Sequence, residues 1–185
     1  DKQLNNAGWD IIARNEYLPN STVAIKEALM KGNTESDYLL FVDGKAIAVV
    51  EAKDNKHSIS HGLQQAMAYA QMLDVPFAYS SNGDGFAEHD FLTGKERTFG
   101  LDEFPTEAEL MARYKAESAI TPEQEAIAAQ PYFTSQNTYP PRYYQRIAIN
   151  RTVDAIARGQ NRLLLVMATG TGKTLLAKTI ARLLK

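Results

Sequence analysis

The sequence predicts an α/β protein built from two modules. Three observations lead to this prediction. Over residues 22–99 the predicted elements run helix, hairpin, helix, strand and strand. Near the C-terminus a continuous apolar run leads into a glycine-rich loop and a helix, as a buried parallel strand does. Charge is also divided unequally, since residues 140–185 carry a net charge of +8 and residues 1–139 a net charge of −10.

Composition limits the class of protein. The 185 residues suit one domain, or one domain and part of another. The absence of cysteine excludes disulfides and thiolate metal sites, and it is compatible with the reducing cytoplasm where we place the protein. No run approaches the roughly 18 apolar residues of a membrane helix, and no signal peptide precedes the fold. The chain starts at Asp1 and stops inside an apparent helix at Lys185, so we expect a fragment.

The first elements surround a predicted β-hairpin. Residues 1–18 are mixed enough to be a helix end followed by a strand or loop. Residues 22–31 are predicted to form a helix that Gly32 ends. The hairpin runs from Ser36 to Lys53, with an Asp-Gly turn signal between two apolar runs. Because side chains alternate along a strand, Glu51 and Lys53 share one face at the end of the second strand.

The register of this hairpin decides what faces Glu51. A two-residue turn would pair Asp37 with Val50 and leave Glu51 on the opposite face. A three-residue loop, Asp43-Gly44-Lys45, would pair Asp37 with Glu51, and we predict that loop or an equivalent bulge. Adjacent carboxylates repel, so a cation is expected between them. Mg²⁺ is the natural candidate, because it is bound through one or two carboxylates plus water and phosphate.

The segment after the hairpin is polar and carries His57 and His61. Their spacing suggests zinc, but no third ligand has a suitable spacing, and exposed loop histidines without a metal are the preferred interpretation. A helix is predicted over residues 59–73, ended by Asp-Val-Pro.

Short strands are then predicted over residues 77–80, 85–91 and 96–99. The sequence Ser-Asn-Gly-Asp-Gly at residues 81–85 is interpreted as a turn in preference to a phosphate-binding loop. A capping box of Thr106 with Glu109 starts a helix that runs through Tyr114, and a second helix is predicted to start near Thr121.

The hairpin and the helix after it resemble the PD-(D/E)xK nucleases. Asp, then Glu-x-Lys at the end of a hairpin, is similar to their signature, with Ser36 where the name has Pro. The Gln-xxx-Tyr spacing at residues 65–69 is similar to a motif of the RecB-like branch, and it places both side chains on one helix face. The resemblance implies a mixed sheet flanked by helices and a metal-dependent nuclease site. Its implied catalytic residues are Asp37, Glu51, Lys53, Gln65 and Tyr69, and its implied metal ligands are Asp37, Glu51 and the carbonyl of Ala52.

A second chemical site follows the apolar run at residues 163–167, which we predict to be a buried strand. The next residues read Ala-Thr-Gly-Thr-Gly-Lys-Thr, and a helix is predicted from Leu175 onward. Strand, glycine-rich loop, Lys-Thr and helix form the P-loop arrangement, in which Lys173 reaches the β/γ-phosphates and Thr174 binds Mg²⁺. The loop is similar to motif I of superfamily 2 helicases and translocases, which tolerate Met167 in place of the first glycine. The implied ATP-binding residues are Thr169, Gly170, Thr171, Gly172, Lys173 and Thr174.

Upstream, the segment Pro-Arg-Tyr-Tyr-Gln-Arg at residues 141–146 begins a predicted helix and resembles the adenine-reading segment of that superfamily. The amide of Gln145 can match the adenine edge, with Arg142 and Tyr143 as weaker candidates to stack on the base or contact it. The segment therefore indicates ATP.

Together the two modules resemble the restriction (R, motor) subunit of type I restriction-modification enzymes. The resemblance implies a PD-(D/E)xK endonuclease domain at residues 1–130, a linker at 131–141, and the start of a RecA-like P-loop ATPase domain at 142–185. It implies cleavage of double-stranded DNA coupled to ATP-driven translocation, with Mg²⁺ and ATP as cofactors and with methyltransferase (M) and specificity (S) subunits as partners. Two alternatives stay open: another nuclease–helicase fusion, and a catalytically inactive nuclease-like lobe that binds DNA on a helicase.

Overall fold

The computed structural model describes residues 1–18, 21–30, 34–117, 141–157 and 159–183. The chain divides into two compact units, Asp1–Ser118 and Ala119–Lys185. The helix predicted from Thr121 and all but the last residue of the predicted linker lie outside the described residues. Among the helices that are described, none is both long and apolar enough to cross a membrane.

The first unit is built on a seven-stranded mixed sheet whose strand order follows the chain. The first two strands are parallel to each other, as are the fourth and fifth, and the other neighbours are antiparallel. The strands are β1 (Ile11–Ala13), β2 (Val23–Leu29), β3 (Glu35–Val42), β4 (Lys45–Ala52), β5 (Phe77–Ser81), β6 (Phe86–Asp90) and β7 (Lys95–Phe99). The helices are α1 (Lys2–Asn6), α2 (Leu63–Leu73) and α3 (Glu107–Glu117), with a 3₁₀ turn at Leu101–Glu103. The prediction of a mixed sheet flanked by helices is confirmed.

The prediction of a helix over residues 22–31 is wrong. This stretch forms β2, which pairs with β3 from Val23 opposite Phe41 to Leu29 opposite Glu35. Its Ala, Lys, Glu and Leu residues favour a helix locally, but propensity is a weak prior that tertiary pairing overrides. Ala24 and Ile25 are fully buried in this position, so the strand gains both a hydrogen-bond ladder and a place in the core.

The β3–β4 hairpin has a two-residue turn, so the three-residue loop is wrong and the alternative of a bulge is confirmed. Asp43 and Gly44 have φ angles of 49° and 77°, both in the left-handed region that a type I′ turn requires. The register shifts by one residue between Leu40 and Phe41, because Ala46 faces Phe41 whereas Ala48 faces Leu40. The shift therefore leaves one extra residue in β4.

Helix α2 connects the parallel strands β4 and β5. It begins at Leu63, four residues later than predicted, and buries Leu63, Ala66 and Ala70. The small alanine side chains let the helix pack closely on the sheet. Asp74 ends the helix in the left-handed conformation, and Val75 after it is buried.

Helix α3 begins with the predicted capping box. The backbone N–H and the hydroxyl of Thr106 both donate to Glu109 Oε2, at 2.7 and 2.9 Å. The N–H of Glu109 donates back to Thr106 Oγ1 at 3.3 Å. Both orphan donors at this helix start are therefore satisfied, as the sequence pattern predicts.

In the second unit, helices α4 (Tyr143–Ala157) and α5 (Lys173–Leu183) pack through Ile149, Val153 and Leu176. The prediction of a buried strand over residues 163–167 is wrong here. These residues form no strand, and Leu164 and Val166 are 88 % and 85 % exposed. The physical reason is that a parallel strand needs neighbouring strands to bond, and the described residues of this unit contain none.

Candidate functional site

The bulge in β4 brings the first pair of predicted site residues together. Beyond it Tyr38 pairs with Val50, so the next residues along the two strands, Asp37 and Glu51, lie opposite each other. The N–H of Ala52 donates to Asp37 Oδ2 at 2.7 Å. Asp37 is thereby fixed against the end of β4, beside the carboxylate of Glu51.

Glu51 is 1 % exposed, and its two carboxylate oxygens have different surroundings. Lys53 Nζ lies 3.4 Å from Oε2. Oε1 is buried and has no hydrogen-bond partner among the described residues. Burial, and next the charge of Asp37, raise the pKa of Glu51 to about 7 against the lowering effect of Lys53. A buried carboxylate oxygen without a hydrogen bond is energetically costly, and a bound cation or a hydrogen-bond donor would offset that cost.

A chain of hydrogen bonds leads from Lys53 onto α2. Lys53 Nζ donates to Gln65 Oε1 at 3.0 Å, and Gln65 Nε2 donates to Tyr69 Oη at 3.3 Å. The spacing of four residues places Gln65 and Tyr69 on the helix face that meets the end of β4. The structure thus brings all five predicted catalytic residues into one connected cluster.

The cluster provides oxygen ligands suited to a hard cation. Asp37 and Glu51 supply two adjacent carboxylates. The backbone of Ala52 lies at the same strand end, where its N–H bonds Asp37. No group of three or more His, Cys, Asp or Glu side chains that could hold a metal is present in the described parts of the chain. Mg²⁺ fits a pair of carboxylates because it keeps several water ligands and is completed by substrate phosphate.

Sequence reasoning missed Gly62, the residue just before α2. A Cβ atom placed on Gly62 would lie 3.2 Å from Lys53 Cε and 3.3 Å from Glu51 Cβ. Absence of a side chain here lets the start of α2 lie directly against the end of β4. No local sequence signal predicts that a glycine before a helix packs on β4, because Gly62 and its contacts Glu51 and Lys53 are separated by the loop between β4 and α2.

The histidines of the intervening loop contact each other. The rings of His57 and His61 stack with centroids 4.2 Å apart and planes inclined by 11°. His57 Nε2 lies 3.5 Å from Asp54 Oδ1. Both histidines are exposed at the surface.

The glycine-rich loop of the second unit has the backbone that its sequence predicts. Gly170 and Gly172 have φ angles of 78° and 85°, in the region that glycine adopts without steric cost. A Cβ atom on Gly172 would also lie 2.4 Å from Gln145 Nε2. Helix α5 begins at Lys173, two residues before the predicted start. Thr169 and Thr174 are exposed on this loop and the first turn of α5.

Polar side chains of the second unit donate hydrogen bonds to backbone carbonyls of the glycine-rich loop and of the residue before it. Lys173 Nζ donates to the carbonyls of Met167 and Ala168 at 3.0 and 2.8 Å, and Thr171 Oγ1 donates to Ala168 O at 2.6 Å. Gln145, predicted to read adenine, donates from Nε2 to Thr171 O at 2.7 Å.

The other end of the Gln145 amide is also engaged. Gln145 Oε1 accepts the N–H of Arg142 at 2.9 Å, and the side chain of Arg142 is exposed. The structure therefore brings Gln145, Arg142 and the loop together. Both ends of the Gln145 amide are engaged within the chain, so contact with a base requires these bonds to exchange.

Two family models match the chain at these sites. Residues 14–75, which carry the nuclease cluster, match the second domain of the type I restriction enzyme EcoKI endonuclease subunit. Residues 138–185, which carry the glycine-rich loop, match the type III restriction enzyme res subunit family.

Similar proteins extend these matches along the chain. The type I restriction enzyme EcoAI endonuclease subunit of Escherichia coli is 41 % identical over 179 residues, covering 91 % of this chain and 22 % of the relative. The EcoKI endonuclease subunit of E. coli K12 is 27 % identical over 235 residues, covering 94 % of this chain and 20 % of the relative. A solved fragment assigned as the HsdR subunit of a type I restriction enzyme from Vibrio vulnificus YJ016 is similar over 99 % of this chain and 36 % of that chain, with 36 % identity and a TM-score of 0.69.

The chain therefore spans about a fifth of the length of the curated relatives. Within that span it holds both a nuclease-type unit and the opening of a helicase-like one. The chain belongs to the family of type I restriction enzyme endonuclease (HsdR) subunits.

Proposed function

We propose that the protein containing this chain is the R subunit of a type I restriction enzyme, which cleaves double-stranded DNA with Mg²⁺ and couples cleavage to ATP-driven translocation. The observation that carries the proposal is the cluster of Asp37, Glu51 and Lys53 at the end of β4, with Glu51 Oε1 buried and unbonded among the described residues. A stabilising side-chain network does not leave a buried carboxylate oxygen unmet, whereas a cation site does.

Asp37, Glu51 and the carbonyl of Ala52 are the proposed metal ligands. When bound there, Mg²⁺ supplies charge neutralisation at the scissile phosphate and lowers the pKa of a water molecule. Asp37 is held in place for this task by the N–H of Ala52. Burial, and next the charge of Asp37, raise the pKa of Glu51, and a cation at the site would favour its charged form.

Lys53 is proposed to orient the attacking water and to stabilise the charge that develops on the phosphate. Its ammonium is held between Glu51 Oε2 and Gln65 Oε1, so its position is fixed before substrate arrives. Tyr69 supports Gln65 in turn by accepting a hydrogen bond from its amide. Placement of the charge in advance is what makes such a group effective in the transition state.

The second unit is proposed to begin the ATP-driven motor. The backbone N–H groups of the loop and the N-terminus of α5 favour phosphate. Lys173 would exchange the carbonyls of Met167 and Ala168 for the β/γ-phosphates, and Thr174 would bind the nucleotide's Mg²⁺. Gln145 and Arg142 are the residues proposed to contact adenine.

The proposed partners are double-stranded DNA and the M and S subunits of a restriction-modification complex. The chain has no segment that by itself predicts sequence recognition, and in this proposal the S subunit reads the target. The basic character of residues 140–185, with a net charge of +8, favours contact with phosphate in this unit.

The experiment that tests the proposal compares three variants of the full-length protein in its complex with M and S subunits. Glu51→Ala and Lys53→Ala are expected to abolish DNA cleavage and to leave ATP hydrolysis and translocation intact. Lys173→Ala is expected to stop ATP hydrolysis and, with it, cleavage that depends on translocation. Loss of both activities in Lys53→Ala would contradict the modular assignment, and cleavage retained in Glu51→Ala would contradict the metal site.

A further inference from the structure

The loop of residues 54–62 connects the catalytic strand β4 to α2, and the end of β5 holds it in place. The ladder between β4 and β5 continues one step beyond the strands, because the N–H of Lys53 donates to Ser81 O at 2.7 Å. Ser80, which is fully buried, donates from Oγ to the carbonyl of Ile59 at 2.5 Å. The loop is thus bonded both at its start and near its middle.

Asn82 makes a further contact with the loop. Its Nδ2 donates to the carbonyl of His57 at 2.9 Å, while its Oδ1 accepts the N–H of Asp84 at 3.0 Å. The residue is 7 % exposed. The two ends of this amide therefore have different roles. Oδ1 stabilises the turn between β5 and β6, and Nδ2 attaches the loop of residues 54–62.

Close packing beneath the turn adds to this attachment. A Cβ atom on Gly85 would lie 2.9 Å from Phe99 O and 3.1 Å from Ile59 Cδ1. The side chain of Ile59 therefore packs directly on a backbone that has no side chain. Ser80, Asn82 and Gly85 together fix the loop at His57 and Ile59.

The far end of the loop returns to the catalytic residues. Gly62 lies against the stem of Lys53, with 3.2 Å from its ideal Cβ position to Lys53 Cγ. One helical turn later, Gln65 Oε1 accepts the Lys53 ammonium at 3.0 Å. The position of the ammonium therefore depends on where this loop delivers the start of α2.

We propose that Asn82 is a positioning residue of the nuclease site, which holds residues 54–62 so that α2 presents Gly62 and Gln65 to Lys53. The proposal rests on the proposed function, in which Lys53 acts on the attacking water. It gives the Asn-Gly-Asp-Gly sequence after β5 a role beyond that of a tight turn. The side chain of Asn82 bonds His57 and Asp84 and makes no hydrogen bond to Asp37 or Glu51 among the described residues, so its loss is expected to act on the position of Lys53.

The test uses Asn82→Asp in the full-length protein assembled with its M and S subunits. Aspartate keeps an oxygen for the N–H of Asp84 and so keeps the turn, but it cannot donate to His57 O. The matched control is Asn55→Asp, which makes the same chemical change on the exposed side of the same loop. The maximal rate of DNA cleavage, its dependence on DNA and Mg²⁺ concentration, and the rate of ATP hydrolysis are measured for both.

Asn82→Asp is expected to lower the maximal cleavage rate by about tenfold to 100-fold, the range for a small displacement of a catalytic group. The DNA and Mg²⁺ concentrations at half-maximal rate and the ATPase rate are expected to match those of the wild type, and the unfolding temperature is expected to fall by no more than the loss of one buried hydrogen bond accounts for. Asn55→Asp is expected to cleave at the wild-type rate. A general structural defect would lower the unfolding temperature by more than this, and an electrostatic effect on DNA binding would appear in the control and in the DNA concentration at half-maximal rate.

Wild-type cleavage by Asn82→Asp would overturn the proposal, because the turn alone would then explain the residue. A cleavage loss equal to that of Asn55→Asp would overturn it as well. If Asn82→Asp does not fold, Ser80→Ala, which removes the neighbouring bond to Ile59 O, is subject to the same outcomes. Lys53→Ala is measured alongside: if it cleaves normally the proposed function fails, whereas if it is inactive and Asn82→Asp is normal only the positioning role fails.

Discussion

Glu51 and Glu88 are two buried carboxylates of the same sheet, 1 % and 2 % exposed, in opposite surroundings. Arg113 donates to both oxygens of Glu88 at 2.8 and 2.9 Å, and Arg97 donates to both at 2.8 and 3.1 Å. Burial raises the pKa of Glu88, but the hydrogen bonds from Arg113 and Arg97 outweigh it and lower that pKa to about 2. Glu51 has one lysine at 3.4 Å and an oxygen with no hydrogen bond among the described residues.

The difference separates a charge that is fully bonded within the chain from one that is not. Glu88 joins β6 to β7 through Arg97 and to α3 through Arg113, which also bonds Asp90 at 2.9 Å. All its bonding capacity is met inside the chain, so it contributes to stability. Glu51 is left incomplete, and an incomplete buried charge is a cost that a bound cation offsets.

The largest expected effect comes from breaking the completed network. Glu88→Gln is expected to lower the free energy of unfolding of the first unit by about 3 kcal/mol, because two arginines lose a buried charged partner. Fluorescence of Trp9 in urea measures this for the 185-residue chain, since Trp9 is its single tryptophan and is buried in this unit.

The control for this prediction is Glu96→Gln on the adjacent strand. Glu96 pairs with His89 at 2.9 Å but is 56 % exposed, so its removal is expected to cost less than about 1 kcal/mol. Equal losses in the two variants would remove the distinction between the completed network and an ordinary surface pair.

Glu51→Gln is expected to have the opposite sign. In the metal-free protein it should raise the free energy of unfolding at pH above about 7 by roughly 1–3 kcal/mol, because glutamine carries no charge next to Asp37. The pKa of Glu51 is raised from 4.5 to about 7, so the gain is absent below pH 4.5, where both states are protonated, and grows as pH rises to about 7.

The same pH series should show the reverse trend for Glu88. Its pKa is lowered from 4.5 to about 2, so its contribution is complete above pH 4.5 and is lost as pH falls toward 2. Urea unfolding of both variants and the wild type across this range gives the two slopes. If the contributions of Glu51 and Glu88 to the free energy of unfolding changed with pH in the same direction, the proposed difference between the two glutamates would be wrong.

Mg²⁺ should also distinguish the Glu51 site from the Glu88 site, through a smaller change in stability. A ligand that binds only the folded state at ten times its dissociation constant stabilises by about 1.4 kcal/mol. We expect Mg²⁺ to raise the unfolding temperature of the wild type and of Glu88→Gln, and to have no effect on Glu51→Gln. Calorimetry without nucleotide measures the shift, and stabilisation of Glu51→Gln by Mg²⁺ would place the cation elsewhere.

The smallest expected effect concerns Gly62. Gly62→Ala is expected to slow DNA cleavage by the full complex by about tenfold, because the added methyl group displaces the stem of Lys53 by a few tenths of an ångström. Stability should change little, since Gly62 has an ordinary φ of −83°.

Gly94→Ala provides the contrast for that prediction. Gly94 has a φ of 71° with open space around its Cβ position, so alanine there should cost about 1 kcal/mol of stability while cleavage is unchanged. Equal cleavage rates for the two alanine variants would argue against close packing of Gly62 on Lys53 as a requirement for catalysis.

Two apolar segments show why an apolar run forms a strand in one place and not in another. Leu39 and Leu40 in β3 and Leu164 and Val166 in the second unit belong to similar runs, and both runs are predicted to be strands. Leu39 and Leu40 are fully buried because β2 and β4 pair on either side, whereas Leu164 is 88 % exposed. A run of apolar residues indicates that a strand needs to be buried, but burial occurs only where neighbouring strands are present to pair with it.

By itself, the sequence determined which residues the candidate site would contain. The resemblance to PD-(D/E)xK nucleases implied Asp37, Glu51, Lys53, Gln65 and Tyr69. Alternation along a strand put Glu51 and Lys53 on one face, and a spacing of four put Gln65 and Tyr69 on one helix face. Local signals also determined the capping box of α3 and the place of the Asp-Gly turn, but not the length of that turn. Only the tertiary structure decided the bulge that pairs Asp37 with Glu51, the strand at residues 23–29, and the attachment of the loop by Asn82. These features depend on hydrogen bonds and burial between residues far apart in the chain, and no local pattern records which partners will be present.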